Sequence, residues 1–401
     1  ATSREEGTGP QPATAGCINY FANASTAVGT MGCQSASDGN SIDLLASNFS
    51  RTGYGFAGWS DSFDYATNPN AKFYGPNETI TVPAGTTTNG LSLYAVWVKS
   101  QGSIQDQSIV ASVCNSLTTA PTDGTANLTS VSALTDQRDN NTYAIAKLAD
   151  GNCWMIENLR LESTAEHNSD GTLAQGYGTS ATYGNFGGLA DAESANFDNF
   201  TTANSLYYSG TQEGTASIDI GTTNYPGYRM PRYNNTNTST RASSPTNNSR
   251  NMYSYGNYYT WHAAMANTTY YDSPTATDAD GKTSETVNTS LCPTGWRLPY
   301  GRRTGNGTTI GGFYNLNYTI NNDSDVTDSN ASLKLRGFPN NFLYSGDFVV
   351  SSALERGSRG YYWSSTAAYS DDGFNLYLGN SGVDPGTSRD NKYVGQSIRC
   401  T

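Results

Sequence analysis

Short apolar runs separated by clusters of turn-forming residues extend along most of this chain. The segment LSLYAVWV carries apolar residues at every second position, which predicts a strand on which these residues share one face. The residues on that face are Leu91, Leu93, Ala95 and Trp97. The same succession of short runs and turns begins near Ile18. Residues 16–98 are therefore predicted to form a small β-rich module.

Polar segments flank this module on both sides. Residues 1–15 consist mainly of Gly, Pro, Thr and Ala with a few charges, and are predicted to be a flexible leader. Residues 99–108 are polar and contain no aromatic side chain, which indicates a boundary between modules. Ile109, Val113 and Leu117 then recur at helical spacing. Residues 99–112 are predicted to be a linker and a short helix.

The remainder, residues 113–401, is predicted to be one large domain. Two alternating apolar runs around the turn formers of TDQRDNNTY, residues 135–143, predict a hairpin. Residues 163–290 are crowded with Asn, Ser, Thr, Gly and Tyr, which predicts long ordered loops. Within them, residues 255–266 (YGNYYTWHAAMA) have apolar side chains at helical spacing and predict an amphipathic helix.

Composition narrows the class of protein. Only 14% of the 401 residues are charged, so solubility depends on neutral polar groups, as in extracellular β-rich proteins. A net charge of -12 without basic clusters argues against nucleic acid as a partner. No apolar stretch approaches the roughly 18 residues that span a bilayer, so no transmembrane segment is predicted.

The six cysteines form an even set without any CxxC pair, and only two histidines accompany them. Disulfides in an oxidising compartment explain this pattern better than a zinc site, and they indicate an extracellular, cell-surface location. Six cysteines allow about 15 pairings. The favoured pairing keeps each bond within one predicted module: Cys17 with Cys33, Cys114 with Cys153, and Cys292 with Cys400.

Three segments of the small module carry a family resemblance. FSRTGYGFAGWS (Phe49 to Ser60), TITVPAG and LYAVW resemble the Listeria-Bacteroides, or internalin-B-type, surface repeat over residues 16–98. The resemblance implies a small β fold of secreted bacterial proteins, used as a spacer or adhesive unit without catalysis. Tyr54, Phe56 and Trp59 lie among glycines suited to tight turns and are predicted to be core residues.

A second resemblance covers residues 113–401. The ordered motifs DGNCWMIENL, CPTGWRLP, GGFYNLN, GYYWSS and GQSIRC resemble the Fibrobacter major-paralogous (FISUMP) domain, a C-type-lectin-like fold. The predicted fold class is thus α+β, with a small β-rich repeat module followed by a large, loop-rich C-type-lectin-like domain. Trp154, Trp296 and Trp363 occupy apolar or glycine-flanked strands and are predicted to be core residues.

No nucleophile motif, HExxH motif or phosphate loop is present, so the chain is predicted not to be an enzyme. The leading hypothesis is a secreted bacterial cell-surface adhesin or binding protein that recognises an extracellular glycan or protein. An alternative is a structural subunit of a surface coat or filament, which self-associates. A third is an enzyme of the formylglycine-generating fold, disfavoured because every cysteine has a disulfide partner.

The ligand site is predicted between Trp363 and Arg399, where tyrosines alternate with carboxylates, amides and arginine. Phe374, Leu376 and Leu378 are expected to point into the core, and the residues between them outward. The candidate binding residues are Tyr369, Asp371, Asp372, Asn375, Tyr377, Asn380, Asp384, Arg389 and Tyr393.

The lectin resemblance raises calcium as a candidate ion, because many C-type lectins hold sugars through it. Those lectins carry Trp-Asn-Asp where this chain has Trp363-Ser364-Ser365, and Ser hydroxyls are poor calcium ligands. Asp323, Asp325 and Asp328 share one loop but lack the distal Glu and ordered Gly of an EF-hand. This loop is predicted to be a solvated turn, with calcium as the alternative, and no cofactor is expected.

Overall fold

The computed structural model of the chain is a sheet-rich mixed fold with few helices. It describes residues 9–137, 140–160, 217–220, 223–226, 228–229, 253–256, 258–259, 261–265, 290, 292–303, 309–349, 352–368, 372–392 and 394–401.

The first hundred residues are β-rich, as the alternating pattern predicts. The elements are β1 (Cys17–Phe21), β2 (Gln34–Ser35), β3 (Ser41–Asp43), β4 (Tyr54–Ser60), β5 (Phe73–Tyr74), β6 (Thr79–Thr81), α1 (Thr86–Asn89) and β7 (Leu91–Ser103). β7 is the central strand: its first residues pair in parallel with β1, and its middle pairs antiparallel with β4. β3 and β6 form a separate two-stranded sheet.

The later elements complete the first sheet and form a three-stranded sheet and several two-stranded ones. They are α2 (Gln107–Ser116), β8 (Val131–Thr135), β9 (Thr142–Lys147), β10 (Cys153–Met155), β11 (Ser217–Ile220), β12 (Thr223–Pro226), β13 (Tyr228–Arg229), β14 (Tyr258–Tyr259), α3 (Trp261–Ala264), β15 (Gly301–Arg303), β16 (Thr309–Gly311), α4 (Gly312–Ile320), α5 (Ser329–Arg336), β17 (Asp347–Val349), β18 (Ser352–Leu354), β19 (Arg359–Ala367), β20 (Asp372–Gly379) and β21 (Gly382–Asn391). One sheet has the order β10-β9-β8-β7-β1-β2, and another consists of β19-β20-β21.

The polar stretch predicted as a linker is a strand over residues 99–103. β7 continues to Ser103, and its Ser100 pairs in parallel with Ala133 of β8. Strand pairing uses backbone N–H and C=O groups, so a segment without apolar side chains can still join a sheet. The first sheet therefore runs continuously across the predicted boundary, while the division into two domains stays a prediction.

Gln11, within the predicted flexible leader, is hydrogen-bonded to β7. The backbone N–H of Gln11 donates to the Tyr94 hydroxyl at 2.9 Å, and the Ser92 hydroxyl donates to the Gln11 carbonyl at 2.9 Å. Hydrogen bonds to β7 thus hold Gln11, while the flexible leader over residues 1–15 stays a prediction. Residues 1–8 lie outside the described residues.

The first core cluster is aromatic. Phe56, Trp59 and Trp97 are buried, with the Phe56 and Trp59 rings 5.0 Å apart between centroids. Leu93 and Ala95 join the same cluster, which confirms the predicted inward face of β7. Tyr54, predicted to be core, is half-buried, and its ring lies 3.6 Å from the guanidinium carbon of Arg51.

A second core cluster joins both parts of the chain. It combines Val96 and Val98 of β7 with Trp154, Phe342 and Leu376. The relative solvent accessibilities of Trp154, Trp296 and Trp363 are 1%, 7% and 0%. This confirms the prediction that all three are core residues.

Gly55 permits close packing between β4 and β9. A Cβ added at Gly55 would lie 2.3 Å from the backbone nitrogen of Ala144, so only glycine fits here without displacing β9.

The helix predicted over residues 255–266 is much shorter. Among the described residues of this range, the α-helix covers Trp261–Ala264, whereas Tyr258–Tyr259 form β14, antiparallel to β13. Tyr259 also exchanges two backbone hydrogen bonds of 2.9 Å with Gln396. The prediction is wrong at these two tyrosines because pairing with distant strands overrides local helical spacing.

All three predicted disulfides are present. The Cα–Cα distances are 5.6 Å for Cys17–Cys33, 6.1 Å for Cys114–Cys153 and 5.7 Å for Cys292–Cys400, within the usual range for this bond. No cysteine of the chain is free. The second bond fastens α2 to β10, and Asp106 caps this helix by accepting hydrogen bonds from two backbone N–H groups.

Candidate functional site

The sheet β19-β20-β21 carries most of the predicted binding residues. Asp372, Asn375 and Tyr377 lie on β20, and Asp384 and Arg389 lie on β21. Asn380 is exposed in the turn between these strands. Three further candidates lie outside the described residues: Tyr369, Asp371 and Tyr393.

The register of this sheet separates its two faces. Tyr361 pairs with Tyr377, which pairs with Asp384, and directly paired residues lie on the same face. Residues of this face alternate with the buried core residues of the other. The face opposite the second core cluster is called the outer face. Its members include Tyr361, Trp363, Asn375, Tyr377, Asp384, Ser388 and Asp390.

The predicted alternation along β20 is only partly confirmed. Leu376 and Leu378 are buried in the core, and Tyr377 is half-buried on the outer face. Phe374, expected in the core, is only half-buried. Asn375 shares the outer face with Tyr377, but it is 1% exposed, so the prediction that it contacts solvent is wrong.

A second layer of chain covers the outer face at Asn375. A Cβ added at Gly373 would lie 2.5 Å from Cδ1 of Trp261, so the Trp261 ring packs against this end of β20. The Trp261 indole N–H donates to the Ser364 carbonyl at 3.0 Å, and the Trp363 indole N–H donates to the Tyr259 carbonyl at 2.8 Å. Hydrogen bonds across the layers thus fix this cover in place.

The other end of the outer face is open and aromatic. The Tyr361 and Tyr377 ring centroids are 5.5 Å apart. Gly379 leaves room for Tyr377, since a Cβ there would lie 2.5 Å from the Tyr377 hydroxyl oxygen. The Tyr361 hydroxyl and the Arg359 guanidinium each donate to Glu355 at 2.5 Å. Two rings and an ion pair therefore lie side by side.

The remaining candidates have local partners. Asp384 accepts a hydrogen bond from the Thr387 N–H at 2.8 Å, inside the β-bulge between β20 and β21. Asp372 and Arg389 approach within 3.8 Å at the covered end, in a largely exposed ion pair. The structure therefore brings Tyr377 and Asp384 together but places Asp372 and Arg389 apart from them.

Sequence reasoning missed Asp347, on β17. This residue is 7% exposed, and its Oδ1 has no hydrogen-bond partner among the described residues. Burial, together with the negative charges of Asp390 and Glu355, raises the pKa of Asp347 to about 7. No local motif around Asp347 indicates this pKa shift, because the shift depends on burial and on the charge of Asp390 on β21.

Tyr361 was also missed, although the sequence contains an indication of its position. It stands two residues before Trp363 in GYYWSS, and strand alternation places both side chains on one face.

Of the three aspartates in the acidic loop before α5, Asp328 has a structural role. Asp328 caps α5, since its Oδ1 accepts hydrogen bonds from the N–H groups of Asn330 at 2.9 Å and Ala331 at 3.3 Å. Within the described part of the chain, no group of three or more His, Cys, Asp or Glu side chains is arranged to hold a metal ion.

Open cavities lie elsewhere, between the first hundred residues and α5. One cavity of about 250 Å³ includes Phe73, Glu78, Lys334 and Phe338 in its lining. A more open groove of about 400 Å³ is lined by residues that include Asp43, Arg336 and Asn380. Asn380 therefore faces this groove rather than joining the other candidate residues on the outer face.

No protein-family model, curated protein or solved structure matches the chain. Both family resemblances therefore stay predictions. Among the described helices, none has the length and apolar content needed to cross a membrane.

Proposed function

We propose that the chain is a non-catalytic, secreted bacterial cell-surface adhesin or binding protein, whose outer face recognises an extracellular glycan or protein. The observation that carries this proposal is the open Tyr361–Tyr377 pair beside Glu355, Arg359 and Asp384. Aromatic rings pack on sugar faces or fill protein pockets, while charged groups fix the orientation of a ligand.

The disulfides support the extracellular part of the proposal. Three bonds use every cysteine of the chain, and such bonds persist in oxidising compartments. The same pairing weighs against the formylglycine-generating alternative, which depends on reactive thiols. The two family resemblances also agree with a binding role, as expectations from the sequence.

Exposed Leu354, next to Glu355, favours a protein contact as the second candidate function. Leu354 is 44% exposed at the open end of the outer face. Self-association through this end would make the chain a subunit of a surface coat or filament.

Glycan-array binding, protein capture and size-exclusion chromatography of the purified chain test both candidates. The variant Tyr361→Ala/Tyr377→Ala is expected to lose ligand capture, or self-association if that is the function. Tyr314→Ala/Tyr318→Ala is the matched control, because it removes another pair of partly exposed neighbouring tyrosines, on α4. Equal binding by the parent and the outer-face variant would place the site elsewhere.

A further inference from the structure

A cavity large enough for a small ligand lies at the seam between the first hundred residues and α5. Its volume is about 250 Å³, and its wall includes Phe73 of β5, Glu78, Phe338, and Leu333 and Lys334 of α5. The Phe73 and Phe338 rings lie 5.3 Å apart between centroids, at an interplanar angle of 28°. Apolar side chains with a few polar groups among them are the usual lining of a small-molecule site. This space is called the seam cavity.

The seam cavity adjoins a second depression along the same seam. The open groove of about 400 Å³ shares Thr79 and Leu333 with the cavity, and it is called the seam groove. Leu333 lies on the wall of both spaces and is 38% exposed. Asn380, in the turn between β20 and β21, also lines the groove. The two spaces together therefore suit a ligand made of two linked units.

Acceptor oxygens at the seam cavity are left without donors. Glu78 Oε2 accepts the N–H groups of Gly75 at 2.6 Å and Phe338 at 3.2 Å, whereas Oε1 accepts no hydrogen bond from the described residues. Asn340, also in the lining, is 8% exposed, and its Nδ2 donates to the Lys334 carbonyl at 3.0 Å. Its Oδ1 has no partner among the described residues. Buried polar groups are nearly always paired, so a ligand here should bring hydrogen-bond donors.

The balance of charge favours a neutral ligand. The described lining of the cavity contains one acidic residue, Glu78, and one basic residue, Lys334, and that of the groove contains Asp43 and Arg336. Arg336 Nη1 lies 3.1 Å from Asp43 Oδ1, and Lys334 Nζ donates to the Ile320 carbonyl at 2.9 Å. Neither space thus has an excess of one charge to offset that of an ionic ligand.

We propose that the seam cavity and the seam groove bind two linked units of a neutral saccharide. A sugar ring has hydroxyl donors around its edge and apolar C–H groups on its faces, which match the unpaired acceptors and the Phe73–Phe338 pair of the cavity. Its hydroxyls would donate to Glu78 Oε1 and accept from Lys334, whose ammonium uses one N–H on Ile320. An aromatic or aliphatic peptide side chain would fill the apolar part but leave the acceptors unpaired.

This site is separate from the outer face. The cavity is lined by β5, the segment around Glu78, and α5 with the residues after it, whereas the Tyr361–Tyr377 pair lies on β19 and β20. Saccharide binding at the seam therefore does not depend on ligand capture at the tyrosine pair, and the two can be tested separately.

Saturation-transfer-difference NMR of the full chain tests the proposal, with methyl hexosides, neutral disaccharides (lactose, maltose and cellobiose) and glucuronic acid as the probes. A neutral disaccharide is expected to bind more tightly than the methyl hexosides, because it reaches both the cavity and the groove. Glucuronic acid is expected to bind more weakly. Titration of the saccharide that responds then gives its affinity.

Glu78→Gln tests the acceptor in the cavity. The amide oxygen can keep the hydrogen bonds from Gly75 and Phe338, and this orientation puts an NH₂ group where Oε1 stood. The saccharide hydroxyl then loses its acceptor, so the affinity should fall about tenfold. A melting temperature no lower than that of the parent would show that the variant is folded.

Leu333→Asn tests the shared wall, and its matched control is Leu354→Asn, which changes another partly exposed leucine, at the outer face. The first variant should weaken disaccharide binding, and the control should not. Tyr361→Ala/Tyr377→Ala should also leave saccharide binding unchanged; if this variant loses it while Glu78→Gln keeps it, the saccharide binds at the outer face instead. No response from any neutral saccharide, or saturation transfer only to a phenylalanine-containing tripeptide, would overturn the proposal.

Discussion

Glu157 Oε2 accepts a hydrogen bond from the backbone N–H of Phe56, 101 residues earlier in the chain, at 3.1 Å. The same oxygen accepts the N–H of Ala144 at 2.7 Å, and Glu157 Oε1 lies 3.1 Å from Arg160 Nη1. One buried carboxylate thus ties β4 to β9 and to the segment after β10.

Replacing the Glu157 carboxylate should lower the free energy of unfolding substantially. Glu157→Ala removes the acceptor of two buried N–H groups and the carboxylate paired with buried Arg160, so a loss of about 3–5 kcal/mol in the free energy of unfolding is expected. Urea unfolding monitored by tryptophan fluorescence measures it. Glu355→Ala, which breaks the largely exposed pair with Arg359, should cost much less. Similar losses in both variants would contradict the role assigned to Glu157.

The continuous sheet predicts how fragments behave. A fragment comprising residues 9–103 would expose Val96, Val98 and the edge that pairs with β8, so it should be less stable than the same segment in the full chain. Thermal unfolding of the fragment and the full chain compares them. For the same reason, limited proteolysis should spare residues 99–103; rapid cleavage there would show that the strand opens readily.

Removing the disulfide that closes the longest loop should destabilise the chain more than removing the Cys17–Cys33 bond. Cys292 and Cys400 are separated by 108 residues, and closing a loop of that size is worth about 4.7 kcal/mol in the chain-entropy model. Cys17 and Cys33, separated by 16 residues, correspond to about 3 kcal/mol. Denaturant unfolding of the two double Cys→Ser variants should therefore rank them in this order. The reverse order would mean that native packing outweighs loop closure.

Two outer-face aromatics should respond differently to truncation. Trp363 is fully buried. Trp363→Ala should lower the free energy of unfolding by about 3–5 kcal/mol, because it leaves a cavity in the covered layer. Tyr377 is half-buried at the open end, so Tyr377→Ala should lower the melting temperature much less. Circular dichroism melts compare both with the parent. Equal losses would indicate that Tyr377 is structural.

Glu78 gives a pH prediction. Burial raises the pKa of its carboxyl, although the N–H groups of Gly75 and Phe338 donate to it. A raised carboxyl pKa contributes stability that is complete below the unfolded-state pKa, about 4.3, and is lost as pH rises through the folded-state pKa. Glu78→Gln should therefore gain stability relative to the parent between acidic and neutral pH. Melting temperatures of both proteins across this range measure the difference; a constant difference would rule out this titration.

Local patterns predicted several features of the fold correctly. The inward face of β7, the three buried tryptophans and the disulfide pairs follow from alternation and from cysteine placement. The strand at residues 99–103 could not be predicted in this way, because its pairing depends on backbone groups of β8, about 30 residues later. Tyr258 and Tyr259 likewise have helical spacing but pair with distant strands.

The candidate site was less predictable than the fold. Alternation placed Asn375 and Tyr377 on one face, but it contains no information about the Trp261 layer that covers Asn375. Asp347 adjoins Leu354 and β19 only through backbone pairings. Such residues can be recognised only after the tertiary arrangement is known.

The Cys292–Cys400 bond also determines how the chain responds to mechanical force. Tension that enters the backbone at Cys400 passes through the sulfur bridge directly to Cys292, since a covalent bond is far stiffer than any strand pairing. Residues 293–399, which contain the entire outer face, then lie in a closed loop beside the path of the load. A pull along the backbone would therefore load the sulfur bridge instead of the strand pairings among β19, β20 and β21, which lie within that loop.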